Sequence, residues 1–471
     1  MTLDLGCMDI VDLAKALRQG RWRVRDVAEA AIAAHDRHEP ALNAHRCFDA
    51  SLMRSQAVAQ DVMREAGYDL GPFMGIPVSV KDLFGLDGFP IWAGTPRPLP
   101  AEYAREGAVV GAFRRQGALL AAKTHTVEFA FGGLGTNRHW GAPRNPWDRL
   151  SHRVSGGSSS GAGVSLQQGS AMLALASDTT GSVRMPASWT GTVGLKVCRG
   201  RWSTDGLLRQ SETLDTPGLL ARSVADAALG FAVLDGLGSA PLAWAHSEGQ
   251  PLGGVRIGIV EAPFFADCDP GIAETVEAAL RELDVAGVRR VAFSLPEAIP
   301  AHALWLAGHL SAPEAYATIT AGFAAWIDTI DPDVWARIRG FGEMPASEYV
   351  HRRRRILGWM DRAAERMASI DLLAMPTIPI TAPRLSDIDG LEAYRRYNSA
   401  ASRNAAIISL LDCCAITLPV GLDKAGIPVG LQLAGRRGSE RALIRLALAV
   451  EHHLGQPRHR LGLPPMLTLG P

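Results

Sequence analysis

The chain has 471 residues, 47% hydrophobic and 20% charged, with zero formal net charge, the balance of an ordinary globular protein. Zero net charge excludes the broad basic footprint of a nucleic-acid or polybasic membrane binder. No uncharged apolar run approaches the ~20 residues of a bilayer span, and the cysteines (Cys7, Cys47, Cys198, Cys268, Cys413, Cys414) show neither CxxC nor zinc-ligand spacing.

Such scattered thiols read as reduced and mostly buried, as in a cytoplasmic protein. The opening MTLDLGCMDIVDLAKALRQG is acidic and amphipathic, without a basic stretch before an apolar core, so no signal peptide is expected. Residues 1–65 are helical in pattern: DIVDLAKALRQG and VRDVAEAAIAAHDR place apolar residues at i, i+3 and i+4, and Gly20 closes the first. IPVSV (76–80) then reads as a strand, REGAVVGAFRRQG (105–117) as a helix and ALLAA (118–122) as a strand. AMLALAS (171–177), VRIGIV (255–260), DLLAMPT (371–377) and AITLP (415–419) are further buried-strand candidates. SVADAALGFAVL (223–234) and SERALIRLALAVEHHLG (439–455) are helical. The alternation predicts an α/β layer fold around a large, mostly buried sheet.

Glycine numbers 49 of 471 residues, above the ~7% average. The excess lies over 132–200, in FGGLGTNRHWGAPRNP, SGGSSSGAG and TTGSVRMPASWTGTVG. Interspersed strand and helix signals, Trp, Asn and Pro argue for tight loops that bring backbone N–H groups to a ligand rather than for a linker. GSSSG (157–161) matches a nucleophile elbow centred on Ser159, but that elbow needs a buried strand before it, and NPWDRLSHRVSG is polar and broken by Pro146. The Lys-Ser/Thr of a phosphate loop is missing from the same glycines.

Two features remain open at this level. In SDTTGSVRMP (177–186), Ser182 follows a small-residue turn and precedes a helix start, a place for a nucleophile, a helix cap or a turn residue. Its nearest upstream histidine, His152, sits in a polar loop. GIPVSVKDLF (75–84) ends an apolar strand with Lys81 and Asp82. A lysine there either reaches water or is desolvated, and desolvation lowers its pKa by up to 3–5 units, enough to make it a base.

Taken together, Lys81, GGSSSG and DTTGS resemble the amidase signature family. The likeness continues through GLKVCRGRWSTDG (194–206) and LDTPGLLARSVADAA (214–228), and near the C-terminus through GIPVGLQLAG (426–435). It is strong over 70–235 and 371–455 and weak over 236–370. The resemblance implies one domain over 1–471, with a mostly buried mixed β-sheet flanked by helices on both faces. N-terminal helices would occupy 1–65, the signature core 66–235, a variable substrate-pocket region 236–370, and the last sheet strands with a closing helix 371–471.

By that likeness Ser182 aligns with the nucleophile, Ser158 with a bridging serine held in a cis peptide, and Lys81 with the base. No histidine is then needed. The backbone N–H groups of Thr179, Thr180, Gly181 and Ser182 would form the oxyanion hole, and Asp178 and Arg184 would pin the loop. The implied activity is hydrolysis of a small-molecule carboxamide to carboxylate plus ammonia or amine, with no metal or organic cofactor, no nucleic-acid or membrane partner, and a homodimer allowed. The alternative is the amidase-type subunit of a glutamine-dependent tRNA amidotransferase. A non-catalytic binding protein is disfavoured by the presence of all three relay residues.

One departure is Thr180, where the family usually has Gly or Ala; its β-branched side chain restricts the turn and crowds the acyl group. Cys413 and Cys414 read as core packing, and HRRRR (351–355) as a solvated or ion-paired helix face. Trp140, Trp305 and Trp326 lie in segments able to line a pocket or the core and receive no assignment.

Overall fold

Short apolar runs set between tight turns become the strands of one sheet in the computed structural model, which describes residues 3–237 and 251–468. In chain order the strands are β1 (His45–Phe48), β2 (Val78–Lys81), β3 (Ala122–Thr124), β4 (Leu173–Asp178), β5 (Val193–Lys196) and β6 (Thr216–Ala221). The later ones are β7 (Arg256–Ile259), β8 (Arg289–Ala292), β9 (Leu372–Pro376), β10 (Cys414–Leu422) and β11 (Pro428–Gly435). They lie side by side in the order β1-β3-β2-β4-β6-β5-β10-β11-β9-β7-β8. Pairing is antiparallel through the middle, from β4 to β9, and parallel for β3-β2-β4 and for β9-β7-β8. The sheet is therefore mixed.

Side-chain alternation divides the core between the two faces. On β4, Leu173 and Leu175 join the largest apolar cluster, while Ala174 and Ala176 face a second one with Val183, Ala187 and Leu166. On β9, Leu372 and Ala374 point to the first face and Leu373 and Met375 to the other. Helices Val224–Leu234, Ile272–Val285 and Glu440–Leu454 cover the first face. Helices Ala162–Gln167, Arg184–Thr190 and Gly390–Leu410 cover the opposite one. Both faces being dry explains why the strands read as near-continuous apolar runs.

Several expectations need correction. The run expected to be wholly helical over 1–65 contains β1, which pairs antiparallel with β3 after Asn43 (φ 52°) ends the preceding helix. ALLAA (118–122) is not itself a strand: the ladder begins at Ala122. The Gln56 side-chain amide takes both the N–H and the C=O of Leu120 (2.9 and 3.1 Å), occupying the groups a strand neighbour would use. Strands β5, β6 and β8 were not expected. Residues 238–250, within the region expected to shape the substrate pocket, lie outside the described residues. No helix among the described residues is long and apolar enough to cross a membrane.

The topology fixes one further point. Because β2 and β4 are parallel neighbours, with Val80 opposite Leu175, their C-terminal ends reach the same edge of the sheet. Lys81 ends β2 and Ser177 is the last residue but one of β4.

Candidate active site

Lys81 is completely buried, and its Nζ donates to Ser158 Oγ at 2.7 Å and to Ser177 Oγ at 3.0 Å. No carboxylate forms an ion pair with it among the described residues. Its sequence neighbour Asp82 instead pairs with Lys123 at 2.7 Å, also fully buried. Of these two buried lysines, only Lys123 has an anion against it. Burial pushes the Lys81 ammonium down to about 7, against the opposing pull of Asp215 and Asp178.

Ser158 comes from the glycine-rich loop that leads into helix Ala162–Gln167, and the Gly157–Ser158 peptide bond is cis. Its side chain and that of Ser159 are fully buried. Ser159 Oγ donates to Ser177 O at 3.3 Å.

The turn after β4 is held by a buried ion pair. Arg184 donates from Nη2 and Nε to the two oxygens of Asp178 (2.9 and 3.0 Å), and both side chains are sealed from solvent. The same carboxylate accepts the N–H of Gly181 (2.7 Å) and of Val183 (3.1 Å). Burial alone would raise Asp178; the Arg184 guanidinium and these donors outweigh it and hold the carboxyl at about 2. Gly181 has φ 131°, a conformation open to glycine. Its N–H is therefore engaged by Asp178, whereas those of Thr179, Thr180 and Ser182 meet no acceptor among the described residues.

Ser182 is 7% exposed and lines a cavity partly open to solvent. Thr180, the departure noted in the sequence, lines it too. The structure brings Lys81 and Ser158 into contact; Ser182 Oγ carries no hydrogen bond among the described residues, to Ser158 or otherwise.

Four residues around this site were not singled out in the sequence. Ser177, the second partner of Lys81, stands where AMLALAS meets SDTTGSVRMP and has no role assigned by either pattern. Asp215 accepts a short hydrogen bond from Thr179 Oγ1 and is raised to about 6 by burial. His309 faces the cavity, held near 3 by complete burial and hence neutral, with its ring nitrogens on Ser311. Arg337 reaches the cavity from helix Pro332–Ile338, in the weakly matching region. His152 lies elsewhere, its carbonyl accepting from Leu385 N–H.

Trp305 also lines the cavity; Trp140 packs on Arg46 (3.5 Å) and Trp326 on Arg97 (4.5 Å). Cys413 and Cys414 are buried in the core, and Arg352 of the basic run pairs with Glu348 at 2.7 Å. Two clusters hold metal-ligand types, His35–Glu39–His45 and Cys198–Cys414–Glu440, but neither lines the Ser182 cavity. In both, internal partners already engage the donors, such as Glu39 on His45 (3.0 Å) and Asp412 O on Cys198 (3.3 Å).

The Amidase family model matches residues 26–444. The 2-amino-5-chloromuconic acid deaminase of Comamonas testosteroni is 44% identical over 468 residues, covering 97% of this chain and 99% of the relative. A glutamyl-tRNA(Gln) amidotransferase subunit from Symbiobacterium thermophilum is 30% identical over 484 residues, covering 93% of this chain and 96% of the relative. A solved amidase structure superimposes with a TM-score of 0.83 at 29% identity, covering 95% of this chain and all of that one. With its mixed sheet and a match spanning most of its length, the chain belongs to the Amidase (amidase signature) family and is an amide-hydrolysing enzyme.

Proposed function

We propose that the chain hydrolyses the C–N bond of a small-molecule amide through an acyl-enzyme on Ser182. Neutral Lys81 takes the proton of Ser158, which takes that of Ser182 as its Oγ bonds to the carbonyl carbon. Electrons pushed onto the carbonyl oxygen meet the unengaged N–H groups of Thr179, Thr180 and Ser182, with Gly181 completing the turn. The proton returns along the relay to the nitrogen, the C–N bond breaks and ammonia or an amine leaves. Water then attacks the acyl ester, gives its proton to the relay and releases the carboxylate and Ser182.

The observation that carries this reading is the Lys81–Ser158 contact, sealed from solvent and without a carboxylate partner. A buried ammonium that lacks an anion is the form burial disfavours, so the amine is available as a base near neutral pH. The deaminase named for the Comamonas testosteroni relative supports ammonia as the leaving group and a small acid as the substrate. The test is ammonia release from a panel of primary amides by Ser182→Ala and Lys81→Ala proteins with native circular dichroism. Losses of at least roughly 10³-fold are expected for both; near-parental turnover by either removes that residue from its role.

A further inference from the structure

Arg337 borders both the Ser182 cavity, whose other lining side chains are neutral, and a neighbouring cavity lined by Glu128, Asp331, Asp333 and Asp389. It supplies the Ser182 cavity with a cation, and no Asp or Glu side chain lines that space. The guanidinium is fixed in place: Nη2 donates to Phe131 O at 2.7 Å and Nε to Asp333 O at 3.0 Å. Its plane lies over Tyr394 (4.4 Å) and beside Phe131 (5.2 Å). Only these two of its N–H donors find an acceptor among the described residues, leaving Nη1 and the second Nη2 proton. No carboxylate pairs with Arg337 among the described residues, in contrast to Arg184, whose guanidinium meets Asp178, and Arg201, which meets Asp235 and Glu440.

Two neighbours add donors of the same kind. Asn398 turns its Oδ1 to the N–H of Gly133 (2.7 Å), so its Nδ2 faces away without an acceptor among the described residues. Trp305 Nε1 is buried with no partner there either. Donors left unmatched favour a ligand that supplies acceptors. A cavity that concentrates them around one unpaired guanidinium is complementary to an anion with planar, paired acceptors.

We infer that this cavity contains a carboxylate subsite centred on Arg337, with Asn398 and Trp305 beside it, that selects amides carrying a second, ionised carboxyl group. The inference rests on the reading of Ser182 as the attacking residue. Arg337 holds the remote carboxylate while the amide carbon lies at Ser182, and apolar or cationic amides find the guanidinium uncompensated.

The test compares succinamate, glutaramate and adipamate, each with its neutral methyl-ketone isostere, as substrates of the parent and of Arg337→Gln and Arg337→Lys. The parent is expected to prefer at least one acid amide by about 10- to 100-fold in kcat/KM, the range of a charge-assisted pair. Arg337→Gln is expected to collapse that ratio by about 30-fold, mainly through KM, and Arg337→Lys to restore part of it. No acid preference in the parent, or a preference that survives Arg337→Gln, overturns the proposal. Calorimetric titration of Ser182→Ala with glutarate reads the subsite without turnover. Binding that disappears in the double variant carrying Arg337→Gln as well supports it, and binding that persists overturns it. Turnover retained by Ser182→Ala would instead sink the nucleophile assignment, which the glutarate titration does not depend on.

Discussion

Lys81 Nζ and Ser158 Oγ stand 2.7 Å apart in a space closed to solvent. With the lysine pushed down to about 7 by burial, kcat/KM is expected to rise through a single ionisation near that pH and to level off above it. The stability consequence has a definite sign. An unfolded lysine titrates near ~10.4, so between about 7 and ~10.4 the unfolded chain binds the extra proton and stability climbs with pH. Below about 7 the full cost of the buried charge is felt. Lys81→Met removes the ammonium, so it loses turnover while its melting temperature exceeds the parent's by more at pH 6 than at pH 9. A parent profile flat across neutrality would contradict the assignment.

Asp215 opposes the depression of Lys81, since its charge favours the ammonium. Asp215→Asn removes that pull, so the acid limb of the rate profile moves to lower pH. A limb unmoved in position would mean that another group sets it.

The Asp178–Arg184 pair is fully buried, and Arg184 also reaches Gln432 and Ser409, each at 2.7 Å. Removing one partner strands the other charge, so Arg184→Met is expected to cost about 3–5 kcal/mol in urea unfolding. The same change frees the carboxylate that holds Gly181 and Val183, and turnover falls with it.

At Gly181 any β-carbon meets Ala405 Cβ at 2.7 Å and Met185 Sδ at 2.9 Å, on a backbone with φ 131°. Gly181→Ala is expected to destabilise the fold by about 1–3 kcal/mol and to reduce kcat far more than KM. An alanine variant with parental kcat would show that the turn geometry is not needed for the chemistry.

Thr180 lines the cavity beside Ser182. Thr180→Gly enlarges the space next to the acyl carbon, so competition between short and branched acyl amides is expected to shift toward the branched one by about 10-fold. A ratio unchanged within error would place the acyl group elsewhere in the cavity.

Lys81 and Ser182 stood out in the sequence by position, a strand end and a turn before a helix, with their roles open, whereas only the family resemblance picked Ser158 from its Gly/Ser loop. The strands with unbroken apolar runs, β4, β7, β9 and β10, were legible from that local pattern. β6, TPGLLA, contains Pro217 and Gly218, and β8, RRVA, begins with two arginines. Both acquire strand structure from ladder hydrogen bonds to neighbours, which no local pattern records.

What the sequence determined by itself is the set of candidate side chains and the loops able to carry them. Tertiary structure decided which lysine lacks an anion: Asp82 adjoins Lys81 in the chain, yet it pairs with Lys123 across the sheet. It also brought Arg337, His309 and Asn398 to the cavity of Ser182 from segments far along the chain. The reason is physical: a side chain's residue type is written locally, but its solvation and its charge partners are set by whatever the folded chain packs against it.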